Sequence, residues 1–83
     1  MENRDSVSVR LTVVEAVMQV LRKKDVVLDD NKLFSDLGLD DLDRFELVLK
    51  IEDAFDLEIS DNDTQKLVSI AETVSYVAAR KAA

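Results

Sequence analysis

Five carboxylates crowd into the twelve residues DLGLDDLDRFEL, Asp36 to Leu47: Asp36, Asp40, Asp41, Asp43 and Glu46, gathered around the only glycine, Gly38. Paired carboxylates can run acid/base catalysis when one is held protonated in a cleft. Here they fall at the start of a helix, where no cleft is implied. Alternating acids can also hold Ca²⁺, but an EF-hand needs a glycine at the sixth position of the loop. DLGLDDLDRFEL is out of that register, and DNDTQ at Asp61–Gln65 lacks the glycine. Loose divalent binding to so negative a surface needs no dedicated site. With no histidine and no cysteine, zinc sites, thiol nucleophiles and imidazole chemistry are excluded. The residues therefore predict no catalytic group and no metal ligand, hence a protein that is not an enzyme.

The elements that present these acids are helical. A first helix is predicted over Val7–Lys24, with Val9, Val13, Val17 and Val20 at helical spacing and Leu21 beside them. Ser6 or Ser8 can cap its start, and Arg22, Lys23 and Lys24 suit its negative end. A long loop follows, Asp25–Leu39, whose VVL and KLF stretches are expected to plug into the core. Gly38 closes it with a turn of positive φ. The second helix should start at Asp40 or Asp41 and end near Phe55, with Asp40 as N-cap and Asp43 as a short relative of the capping-box glutamate. A short helix over Asp61–Leu67, capped by Ser60, and a last one from Ser69 or Ile70 to Arg80 complete four. Residues 1–6 and the closing RKAA are expected to fray.

On a helical wheel the second helix has two apolar sides. Leu47, Val48, Ile51, Ala54 and Phe55 make a sufficient core face. Leu42, Phe45 and Leu49 fall roughly opposite, among Glu46, Glu52 and Asp53. An exposed apolar stripe ringed by charge fits a docking surface. On the residues alone two plainer readings stand beside it: a neighbouring loop or the first helix covers the stripe, or the acids are a solvated face that aids solubility.

Composition narrows the setting. At 83 residues one domain, 1–83, is expected, burying only about 60% of its unfolded surface. A 47% hydrophobic fraction is far from disorder, and one glycine with no proline argues against a turn-rich sheet protein. Asp25–Asp63 holds 14 acids against 3 bases, while the flanks hold 4 against 8. That negative middle is wrong for nucleic acid and right for a basic protein patch, where charge speeds and orients encounter. No apolar run reaches the ~18 residues of a membrane span. MENRDSVS has no signal-peptide pattern, and the lack of cysteine fits the cytoplasm. A cytoplasmic monomer is expected.

The stretch LFSDLGLDDLDRFELVLKIEDAFDLEISDNDTQKL resembles the central part of bacterial acyl carrier proteins. Its specific pieces are Leu37-Gly38, Asp40, Leu42-Asp43, Glu46-Leu47, IEDAFDLEI at Ile51–Ile59 and SDND at Ser60–Asp63. The likeness runs on through VSIAETVSYV and, more loosely, back over the first helix and long loop. It implies an all-α four-helix bundle of the acyl carrier protein type. It also implies a carrier in fatty-acid, lipid or polyketide synthesis, with a 4′-phosphopantetheine arm on a serine at the start of the second helix. Basic patches on acyl-chain synthases, acyltransferases and the phosphopantetheinyl transferase would dock there. Carried over by motif, Asp40, Asp43, Glu46, Glu52 and Asp53 are the acidic contacts, and Leu42, Phe45 and Leu49 the apolar ones.

One position departs from the family motif. Asp-Ser-Leu is replaced by Asp40-Asp41-Leu42, so the arm-bearing position is Asp41. Attachment requires a hydroxyl that attacks the diphosphate of coenzyme A and leaves a stable phosphodiester. A carboxylate would give a mixed acyl-phosphate anhydride, which water hydrolyses. The nearest hydroxyl, Ser35, lies in the preceding loop and is not expected to substitute. As a first-turn residue Asp41 suits the helix dipole, so the fold itself gives no sign of the change. The chain is expected not to be phosphopantetheinylated at Asp41. The alternative to a carrier is a non-carrying interaction or regulatory module that occupies carrier-binding enzymes.

Overall fold

A computed structural model describes residues 4–21 and 28–82. Four α-helices occur among them: α1 (Arg4–Leu21), α2 (Asp41–Phe55), α3 (Asp61–Thr64) and α4 (Ile70–Ala82). A 3₁₀ turn at Phe34–Leu37 interrupts the long connection before α2. Among the described residues no strand forms, only an isolated antiparallel bridge between Leu33 and Ser69. The architecture is the expected all-α bundle, in which α1 packs on both α2 and α4.

Burial follows the predicted periodicity. Val9, Val13, Val17 and Val20 of α1 are buried together with Leu47, Val48 and Ile51 of α2 and Ile70 and Val77 of α4. Leu21, Phe55, Val74 and Tyr76 pack against this core from its edge. Valine is a modest helix former, so α1 owes its stability to this packed face. Two expectations need correction. α1 begins at Arg4, so residues 4–6 are helical and neither Ser6 nor Ser8 is its cap. Ala54 is exposed rather than in the core, because it lines an open surface groove with Thr12, Glu15 and Gln19 of α1. The expected basic end of α1 at Arg22, Lys23 and Lys24 lies outside the described residues, as do Val26 and Val27.

What can be seen of the long loop is pinned. Arg10 of α1 donates from Nε and Nη2 to the two carboxylate oxygens of Asp30, at 2.8 and 2.7 Å. The Asp30 carbonyl accepts from Ala71 N at 2.9 Å, at the start of α4. Phe34 then drops into the core and is 1% exposed, while its neighbour Leu33 remains 46% exposed. Of the KLF stretch, only the phenylalanine is a plug.

α3 is shorter than predicted, ending at Thr64, with Lys66 and Leu67 continuing in turns bonded to Asp63 O and Thr64 O. Ser60 caps it, its hydroxyl accepting from Asp63 N at 3.1 Å. α4 runs past Arg80 to Ala82, so Arg80 and Lys81 complete a helical last turn where cations suit the dipole. Ser69 caps its start by accepting from Glu72 N at 3.1 Å. α3 and α4 are tied by a polar chain. Tyr76 donates to Asp63 Oδ2 at 2.7 Å, and Arg80 donates to the Tyr76 hydroxyl at 2.6 Å while lying over its ring.

Candidate docking face and attachment position

The approach to α2 is set by one glycine and one reciprocal cap. Gly38 adopts φ 97°, ψ 11°, a left-handed conformation that costs other residues steric strain. It ends the 3₁₀ turn and redirects the chain toward α2. Asp40 is the N-cap, extended at φ −88°, ψ −174°. Its Oδ1 accepts from Asp43 N at 2.8 Å, and Asp43 Oδ2 accepts from Asp40 N at 3.2 Å. The aspartate at the third helical position therefore completes a capping box. Two of the crowded acids are thus committed to starting the helix.

Asp41 differs from both. It is the first residue of α2 and is exposed to solvent. The base one turn on, Arg44, is directed elsewhere: Nη2 donates to Thr64 O at 3.5 Å and Leu67 O at 3.4 Å. The start of α2 thus presents a carboxylate to solvent, with the basic group of its own first two turns turned toward α3.

Along α2, Leu42, Phe45 and Leu49 are 68%, 58% and 47% exposed, three of the five exposed large apolar side chains among the described residues. Among the described residues neither the long loop nor α1 covers them, which removes one plainer reading. Glu46 is half-buried beside the stripe, and Asp53 is exposed on its α1 side, in a groove shared with Glu15, Gln19 and Lys50. Glu52 lies on the other side, half-buried, and its Oε2 accepts from Ile59 N at 2.8 Å. The acids therefore flank the apolar stripe on both edges, but Glu52 also holds the loop that follows α2. That bond spans seven residues across a helix end, and no spacing rule would have found it. The reach of Arg44 into α3 is equally hidden in the sequence.

Comparison with known proteins decides the family. Residues 12–77 match the family described as "Phosphopantetheine attachment site". An acyl carrier protein of Campylobacter lari is 45% identical over 69 residues, covering 83% of this chain and 86% of that protein. One of Akkermansia muciniphila is 44% identical over 55 residues, covering 66% and 69%. The chain belongs to the acyl carrier protein family. Its fold agrees with the solution structure of a protein of Anaplasma phagocytophilum assigned as an acyl carrier protein, with a TM-score of 0.84, 31% identity and 96% of each chain covered. Family membership gives the chain a carrier role rather than an enzymatic one and implies a 4′-phosphopantetheine prosthetic group. Among the described residues no helix is long and apolar enough to cross a membrane.

The residues at the start of α2 do not fit that group. The resemblance assigns the arm to position 41, where the side chain is an exposed carboxylate and not a hydroxyl. Ser35, also exposed, sits in the 3₁₀ turn on the far side of Gly38.

Proposed function

We propose that this carrier-family protein docks onto partner enzymes through α2 and that, with aspartate at position 41, it does not accept the arm there. The observation that carries the docking half is the uncovered stripe of Leu42, Phe45 and Leu49 flanked by carboxylates. The apolar side chains supply area that gains by leaving water, and the acids select a basic partner and speed its approach. Asp40, Asp41, Asp43, Glu46, Glu52 and Asp53 form the acidic part of the surface. Acyl-chain synthases, acyltransferases and the phosphopantetheinyl transferase are the partners that the family resemblance implies. A single domain acting as a cytoplasmic monomer completes this reading.

The second half rests on bond chemistry. An Asp41 ester to phosphorus would be an acyl phosphate, a high-energy anhydride open to water at an exposed helix start. Asp41 therefore favours a second reading of the chain's role, a module that occupies carrier-binding enzymes without cargo.

One experiment tests both halves. The protein and its Asp41→Ser variant are incubated separately with coenzyme A and a phosphopantetheinyl transferase, and intact masses are taken. Only the variant should gain the mass of the arm. Unlabelled parent added to the variant should slow its loading, and Glu46→Lys with Asp53→Lys in the parent should relieve that competition at low salt. A loaded parent would overturn the block at Asp41. Absence of competition would overturn the docking reading.

A further inference from the structure

We propose that a surface cup between the 3₁₀ turn and α2 binds a small carboxylate with a short aliphatic body, gripped by Arg44. This inference does not rest on the docking reading, because Arg44 turns away from the apolar stripe of α2.

Three bases fall among the 14 acids of Asp25–Asp63: Lys32, Arg44 and Lys50. Lys32 and Lys50 are exposed, and Arg44 alone is half-buried. A charge drawn out of water costs stability unless an opposite charge or good hydrogen bonds replace the water. Arg44 has little such replacement. The ion pairs among the described residues join Arg10 to Asp30 and Lys66 to Asp63, and neither includes it. Its bonds to Thr64 O and Leu67 O are long, at 3.5 and 3.4 Å, and both leave from Nη2. A guanidinium carries five N–H donors in a fixed fork. Among the described residues, Nε and Nη1 of this one have no acceptor, so most of the fork remains for a ligand.

Arg44 lines a cavity of about 120 Å³ with Leu33, Phe34, Ser35 and Val68. Phe34 is 1% exposed and makes the floor, so the cup ends at the core rather than opening into it. Leu33 is 46% exposed and makes an outer wall. Ser35 is exposed, and its hydroxyl bonds to no described residue. Apolar walls around a few convergent polar groups are the general form of a small-molecule site, and the volume lies well below the roughly 300–1,000 Å³ that drug-sized ligands need. The ligand is therefore only a few heavy atoms in size.

Charge and lining together choose its class. The arginine calls for an anion, and its planar fork matches a carboxylate with two parallel bonds. Asp36 and Asp41, adjoining in the chain and exposed, repel any anion, so a bare one gains little. The apolar walls supply the rest. A body of roughly three carbons leaves water against Leu33, Phe34 and Val68, and each buried methylene tightens binding about fourfold. Ser35 offers one further donor to the carboxylate.

NMR titration of the ¹⁵N-labelled full chain with sodium butyrate at constant ionic strength tests this. The Ser35 and Val68 amides and the Arg44 Nε–H should shift together and saturate at millimolar butyrate. Acetate, two methylenes shorter, should bind roughly fivefold to fifteenfold more weakly. Inorganic phosphate, which has no apolar body, should not saturate these signals in the same range. Arg44→Gln should abolish the saturable shifts. Because Arg44 also touches α3, Leu33→Ala repeats the test at a wall: it should weaken butyrate severalfold and leave acetate nearly unchanged. Shifts that grow without saturating, butyrate no tighter than acetate, or butyrate binding unchanged by Arg44→Gln would each overturn the site. If Arg44→Gln does not fold, Leu33→Ala decides, and an unaltered preference for butyrate over acetate in that variant overturns it.

Discussion

Replacing Phe34 with alanine tests how the long connection delivers the chain to α2. Phe34 is 1% exposed and sits in the core beside α1, α2 and α4. Removing a buried phenylalanine costs its transfer free energy plus the cavity left behind, about 3–5 kcal/mol in all. A domain of this size has a total stability of roughly 4–12 kcal/mol at about 0.05–0.15 kcal/mol per residue. The loss therefore takes away about a quarter of the stability at the least, and at the low end of the range essentially all of it. Leu33→Ala is the matched control. Its side chain is 46% exposed, while its backbone already fixes the turn by accepting from Asp36 N and Leu37 N at 2.9 and 3.2 Å. Truncation there should cost below about 1 kcal/mol, as for a surface position. Urea unfolding followed by far-UV circular dichroism reads both variants, with the midpoint falling steeply for Phe34→Ala at constant slope. Equal midpoints for the two variants would refute the plug, and with it the account of how Gly38 and Asp40 are placed.

Two further perturbations probe the turn and the α3–α4 link. Gly38→Ala meets no atom within 4 Å of the added carbon, so its whole cost is the left-handed backbone, about 1–2 kcal/mol, read as a lowered urea midpoint. The Tyr76 hydroxyl is raised above its ordinary 10.0 chiefly by burial and then by its bond to Asp63, whose carboxyl that bond lowers below 3.8. For the phenol the stabilisation is fully present below 10 and is lost as pH rises through the higher folded value; for Asp63 it is present above 3.8 and lost as pH falls through the lower folded value. Ultraviolet absorbance of the single tyrosine should titrate above 10 and move back toward it in Asp63→Asn.

Legibility in the sequence followed the range of the interactions. α2 was readable end to end because its signals are local: a capping aspartate, an acid three residues on and two apolar faces on one wheel. The second apolar stripe of Leu42, Phe45 and Leu49 was readable for the same reason, but its exposure was not, since on the residues alone a neighbouring loop or α1 could have covered it. Boundaries that depend on neighbours were misplaced. Nothing local distinguishes Lys66 and Leu67 in turns from one more turn of α3, and only the geometry of the bundle leaves Ala54 in solvent. Pairings between elements were invisible: Arg10 with Asp30, Glu52 with Ile59 N, Tyr76 with Asp63. Each joins residues whose types are ordinary and whose separation carries no period.

The same distinction explains why the acids at the start of α2 are not interchangeable. Asp40 and Asp43 satisfy each other's backbone amides, and that bond pattern requires a short acceptor at the N-cap and an acceptor side chain three residues on. Truncating Asp40 to alanine would loosen the helix start by about 0.5–2 kcal/mol. Asp41 lies between them in sequence, outside the box and exposed. The backbone would accept serine there as readily, because a first-turn residue needs only helical φ and ψ, and the dipole gives a carboxylate at most about 1 kcal/mol at the surface. Fold and cap therefore place no selection on the residue at position 41. On the function proposed above, the hydroxyl-or-carboxylate choice at position 41 would separate a loaded carrier from an empty one without disturbing the surface that both would present.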